Sequence, residues 1–187
     1  MAHNNGSATT DAIGDLARAL VETFRRDGLM IAVAESCTGG MIAAAITEIA
    51  GSSSVLDRGF VTYSNDAKQE MLGVAPALIE NQGAVSEAVA SAMAEGALEN
   101  SNAHITVSVT GIAGPDGGSD IKPVGLVWFA CAMEGTPVLA TSHVFDNQSR
   151  RYIRQQATMF AMHLALQCAA AADEEGFDDF DDGDDDD

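Results

Sequence analysis

At 187 residues, 47% of them apolar, the chain is long enough for one sizeable core and about one domain in extent. Its formal charge of −19 excludes a basic footprint for nucleic acid, and eleven of its 28 acidic residues crowd into the last fifteen positions, leaving seventeen acids against nine bases elsewhere. No apolar stretch is long and charge-free enough to span a bilayer, and the polar opening MAHNNGSATT lacks the regions of a signal peptide, so we expect a cytoplasmic protein with neither a membrane nor a nucleic acid as partner.

Residues 1–10 read as a flexible segment, 11–172 as the domain and 173–187 as a disordered tail whose like charges are too dense to bury. Ile13, Leu16, Ala17, Leu20, Val21 and Phe24 recur at helical spacing, with Asp11 to cap the run and Gly28 to end it. Met30 to Ala34 follows as a buried strand, and Gly39 to Ala50 as a helix closed by Gly51. A second strand, Gly59 to Tyr63, leads into a short helix that Ser64 or Asn65 can cap and Gly73 can end. Pro76 opens another short helix to about Asn81, and Ser86 caps an Ala-rich one from Glu87 to Glu99.

His104 to Thr110 reads as a third strand, with Ile105, Val107 and Val109 alternating with polar residues. The glycine-rich GIAGPDGGSDIKP that follows is too long to be a mere connector. Val124 to Met133 and Val138 to Phe145 form an antiparallel hairpin, and the last helix spans Ser149 to Ala172. Strands separated by helices imply parallel crossovers and the hairpin adds an antiparallel strand, which predicts a three-layer α/β/α sandwich around a mixed, mostly parallel five-stranded sheet.

Ligands in such sheets gather at the C-terminal ends of parallel strands, where ESCTGG, YSN and TGIAGP each fall. Ser36 at a strand-to-helix corner is a candidate nucleophile, with Gly39 and Gly40 letting backbone N–H groups approach a ligand. The N–H groups opening the 39–50 helix are expected to point outward unpaired, suited to an oxyanion or a phosphate.

A free hydroxyl needs a base, and Lys68, with Tyr63 as a proton relay, is the plausible one, although taken alone Lys68 reads more readily as a solvated helix lysine. Bringing a lysine pKa down from about 10.4 to ~7–8 costs the charged form about 4 kcal/mol, which demands a partly buried pocket. Cys37 competes as a nucleophile, but neighbours on a strand end face opposite ways, which favours packing for it. Thr110 can donate or cap, Lys122, Arg150, Arg151 and Arg154 can bind phosphate or pair at the surface, and Gly111, Gly114, Gly117 and Gly118 allow close backbone approach. Three cysteines and four histidines fall into no metal-binding spacing, so no metal is expected.

AESCTGG, GSS, RGFVTYSNDAKQEMLGV, GAVSE and TGIAGPDGGSDIKPVGLVWFA, in that order across roughly Ile13 to Leu166, resemble the CinA C-terminal domain family. The resemblance implies a stand-alone amidohydrolase that converts nicotinamide mononucleotide and water to nicotinic acid mononucleotide and ammonia. In it Ser36 attacks the carboxamide, Lys68 is base and then acid, and Tyr63 assists. Glu35, Thr38, Gly39, Gly40, Asn65, Thr110, Gly111, Gly114, Gly117 and Gly118 are implied around the substrate, and Arg150 and Arg154 as phosphate ligands, with no cofactor and a homodimeric assembly. The alternatives are a non-catalytic binding or regulatory module linked to competence or DNA damage, and an amidase for another amide.

Overall fold

The structure, a computed structural model, describes residues 5–146 and 148–174. In chain order it runs α1 (Asn5–Arg26), β1 (Ile31–Glu35), α2 (Met41–Thr47), β2 (Leu56–Val61), α3 (Asn65–Leu72), α4 (Pro76–Gln82), α5 (Glu87–Glu99), β3 (Ile105–Gly111), β4 (Leu126–Met133), β5 (Leu139–Val144) and α6 (Arg150–Glu174), with a 3-10 turn at Ser52–Ser54. The sheet order is β2-β1-β3-β4-β5. β1 is parallel to both β2 and β3, while β4 is antiparallel to β3 and β5.

From β1 the chain moves to β2 on one side and later returns to β3 on the other, so the two crossovers lie on opposite faces and the C-terminal ends of β1, β2 and β3 meet at one crevice. Helices α1, α2 and α6 cover one face, burying Leu20, Phe24, Val33, Ile46, Val107, Phe129 and Met162 together. Helices α3, α4 and α5 cover the other, where Ala34 packs with Leu72, Ile79, Val89 and Met93. The mixed α/β/α sandwich expected from the sequence is the observed architecture.

On its α5 side β3 carries hydroxyls rather than hydrocarbon. Thr106, Ser108 and Thr110 donate to the carbonyls of Ala94, Ala90 and Ala84 at 2.7, 2.6 and 2.8 Å, so the polar half of the strand's alternation is buried and hydrogen-bonded rather than turned to water. Helix α3 approaches α5 at Gly96, where a Cβ would lie 1.9 Å from the Leu72 carbonyl oxygen. Lys68 stands one turn before Leu72, so that approach sets how deep the lysine sits.

Several boundaries differ from the sequence expectation. Helix α1 starts at Asn5 rather than at an Asp11 cap, because adding turns to an existing helix costs little when no proline intervenes. Residues 5–10, expected as flexible, therefore belong to the helix, while residues 1–4 and 175–187 lie outside the described residues. Helix α2 covers only Met41–Thr47 of the expected 39–50, since Gly39 and Gly40 have φ of 59° and 94° and form the turn before it. Strand β2 is Leu56–Val61 rather than Gly59–Tyr63: β1 ends at Glu35, whose carbonyl takes the Thr62 N–H at 2.9 Å, and beyond it there is no partner strand. Among the described residues no helix is long and apolar enough to cross a membrane.

Candidate active site

Strand alternation splits the motif AESC between the two faces of the sheet. Ala34 packs on the α3 and α5 side, whereas Val33 and Cys37 belong to the core under α1, α2 and α6. Ser36 continues the side of Ala34. Its N–H donates to Val109 O at 2.9 Å, extending the ladder with β3, and its hydroxyl meets Lys68.

Lys68 Nζ donates to Ser36 Oγ at 3.0 Å and to the Thr62 carbonyl at 2.8 Å. The lysine is 1% exposed and makes no ion pair among the described residues. Burial pulls its pKa below the ordinary lysine value, with the neighbouring Cys37 thiol offsetting only part of that. The resulting tendency toward a neutral amine is what a base for a serine proton needs. Thr62 was not singled out in the sequence, although it shares the inward parity of Phe60 and precedes Tyr63.

Glu35 faces the opposite way and closes the start of α2. Its carboxylate accepts the N–H groups of Gly40, Ile42 and Ala43 at 3.0, 3.1 and 2.9 Å. The expectation that the N–H groups opening this helix are unpaired is therefore corrected: an internal anion already occupies its positive end. Cys37 is 5% exposed and burial raises its thiol pKa to about 12, so it carries next to no thiolate near neutrality.

Arginine side chains from α6 fasten the rim. Arg154 donates through Nε to Cys37 O at 3.0 Å and through Nη2 to Thr38 O at 2.7 Å, gripping the turn after the serine. Arg150 donates to Gly114 O and to the Tyr63 hydroxyl, both at 2.8 Å, tying the glycine-rich loop to the second residue past β2. Tyr63 itself is exposed, and its hydroxyl is hydrogen-bonded to Arg150 rather than to Ser36 or Lys68. Lys122 fastens the same loop from its far end, donating to Gln82 O and Val85 O at 2.7 and 2.8 Å.

The remaining expected residues are more scattered. Asn65 is exposed at the start of α3, whose cap is the Ser64 hydroxyl. The Thr110 hydroxyl is committed to Ala84 O, and Gly111 packs where a Cβ would come within 2.7 Å of Val127. Gly117 and Gly118 line an open depression of about 450 Å³ formed by Pro115 to Asp120 with Pro123 and Val124, apart from the serine and lysine. No cluster of His, Cys, Asp or Glu able to hold a metal occurs among the described residues.

Residues 14–169 match the model of the CinA C-terminal domain. The chain is 52% identical over 144 residues to nicotinamide-nucleotide amidohydrolase PncC of Enterobacter agglomerans, covering 77% of this chain and 87% of that protein. It is 45% identical to the protein of the same name from Escherichia coli K12, covering 85% and 96%. Among solved structures, the competence/damage inducible protein CihA of Agrobacterium tumefaciens superposes with a TM-score of 0.82 at 49% identity, covering 85% of this chain and 96% of that one. With that match spanning most of the chain, the protein belongs to the CinA C-terminal domain family.

Proposed function

We propose that the protein is a nicotinamide-nucleotide amidohydrolase that uses Ser36 as nucleophile and Lys68 as its base. The observation that carries this reading is the 3.0 Å approach of a buried, unpaired lysine to the serine hydroxyl. A binding module has no use for an amine whose charge is so poorly solvated, because burying it costs stability and returns nothing. The names of relatives at 45–52% identity support the substrate.

In the proposed reaction neutral Lys68 takes the Ser36 proton as Oγ attacks the carboxamide carbon of nicotinamide mononucleotide. The ammonium so formed gives its proton to the departing nitrogen, releasing ammonia and leaving on Ser36 the ester of nicotinic acid mononucleotide. Water then attacks that ester, Lys68 again accepting a proton and returning one to Ser36 Oγ as the acid leaves. Positioned proton transfer of this kind contributes about 10²–10⁴-fold. In this reading Tyr63, exposed and held by Arg150, passes protons between the pair and solvent. Arg150, exposed where Arg154 is half-buried, is the cation offered to the 5′-phosphate.

The test is ammonia release from nicotinamide mononucleotide by purified protein, with nicotinamide riboside as the substrate lacking phosphate. The reading expects turnover of the nucleotide, much poorer turnover of the riboside, and loss of several orders of magnitude in Ser36→Ala. Equal use of both substrates would point to a general amidase, and full activity in Ser36→Ala would refute the nucleophile.

A further inference from the structure

The geometry points to Thr38 as the residue that holds the oxyanion, through its own N–H and its side-chain hydroxyl together. This rests on Ser36 being the nucleophile and names the donors that the reaction requires. The described hydrogen bonds take up the N–H groups of Ser36, Gly39, Gly40, Ile42 and Ala43 and leave those of Cys37, Thr38 and Met41, of which Thr38 alone also carries a side-chain hydroxyl. Because Glu35 fills the end of α2, the oxyanion cannot use that helix's Gly40, Ile42 and Ala43 amides.

The direction of the Thr38 N–H follows from Arg154. A trans peptide points its N–H opposite its C=O, and the Cys37 carbonyl is drawn to the Arg154 guanidinium on α6. The Thr38 N–H is thereby turned away from α6, while Ser36 Oγ meets Lys68 of α3, on the far side of the sheet from α6. The second donor is an independent observation. Thr38 is 0% exposed and its hydroxyl has no partner at all, one of two such side-chain atoms among the described residues. A buried hydroxyl left unpaired destabilises the fold, because its lost hydration is not replaced. An oxygen that becomes negative beside Ser36 would supply the missing acceptor at the moment of reaction, which is how a preorganised donor lowers a barrier.

Thr38→Val removes the hydroxyl at nearly constant shape, and Thr38→Ser retains it. Three quantities are measured for each: kcat and KM on nicotinamide mononucleotide, affinity for pyridine-3-boronic acid, whose boron forms a tetrahedral adduct with a serine oxygen, and the urea midpoint. We expect Thr38→Val to lose about 100-fold in kcat with KM little changed. Its boronate affinity should fall in parallel and its midpoint should not fall, while Thr38→Ser stays near wild type. A valine variant with wild-type kcat and boronate affinity would overturn the assignment and leave the amidohydrolase reading standing. Loss of activity that tracks a lowered midpoint and that serine does not rescue would also overturn it, by making Thr38 structural. Boronate binding that depends on the hydroxyl in a protein inactive on the nucleotide would sustain the oxyanion site and sink the substrate. Neither turnover nor boronate binding in wild type would sink both.

Discussion

A lysine beside a serine is a base only to the extent that it has lost its proton, so the chemistry at residue 68 is a matter of where its side chain is put. Burial lowers the Lys68 pKa, and turnover should therefore rise with pH through that lowered value as the amine becomes neutral. Lys68→Met should abolish this limb along with most activity. The same shift has a consequence for stability. Between the lowered pKa and the ordinary value of 10.5 the unfolded chain holds a proton that the folded one does not, so stability rises with pH across that window and the penalty is fully present below it. Urea midpoints measured against pH should rise more in wild type than in Lys68→Met; parallel curves would show that the folded lysine titrates normally. Arg154 yields a separate expectation. As a clamp on the Cys37 and Thr38 carbonyls, its replacement in Arg154→Lys should lower kcat more than it raises KM. A rise in KM alone would make it a phosphate ligand, the role that resemblance implied. Ser36 was legible as a candidate because a strand-to-helix corner presents its hydroxyl, whereas Lys68 taken alone reads as a solvated helix lysine and was paired with Ser36 through the family resemblance. The roles of Glu35 and Arg154 were not, because sequence does not reveal which polar side chains are spent on the backbone.

At the scale of elements, the pair depends on α3 lying close against α5. That closeness is bought by Gly96, whose missing side chain leaves room for the Leu72 carbonyl. Gly96→Ala must push the helices apart, so we expect a loss of about 1–3 kcal/mol in urea denaturation, and a fall in kcat because Lys68 moves with its helix. Wild-type stability in this variant would mean that α3 shifts freely and does not hold the lysine in place. Helix α5 was readable to the residue from Ser86, and α3 to within one residue from Ser64 or Asn65 and Gly73, since caps carry local chemistry. β2 was misplaced by two to three residues because its limits are set by where β1 runs out, a fact of pairing rather than of the segment itself. The hydroxyl ladder of β3 looked like an ordinary alternation, and only the helix above it shows that both faces are buried.

For the molecule as a whole, the alternation of strands and helices is enough to imply the layers, and the reversal of direction at β1 gathers Ser36, Thr62 and the glycine-rich loop at one crevice. Assembly is a different matter. Strands β2 and β5 are sheet edges, with Val61, Leu139 and Val144 about half exposed, and the homodimer implied by resemblance would be seen as a doubled mass in sedimentation. A monomer at working concentration would remove that implication without touching the site. The central claim is that one hydroxyl, Ser36, takes the acyl group while the thiol next to it stays inert. Rapid acid quenching of a reaction with nicotinamide mononucleotide, followed by peptide mass spectrometry, tests this most directly. We predict an ester of nicotinic acid mononucleotide on Ser36 that forms before free acid accumulates and is absent from Ser36→Ala. Label on Cys37, or full turnover with no acylated peptide at any time, would contradict it.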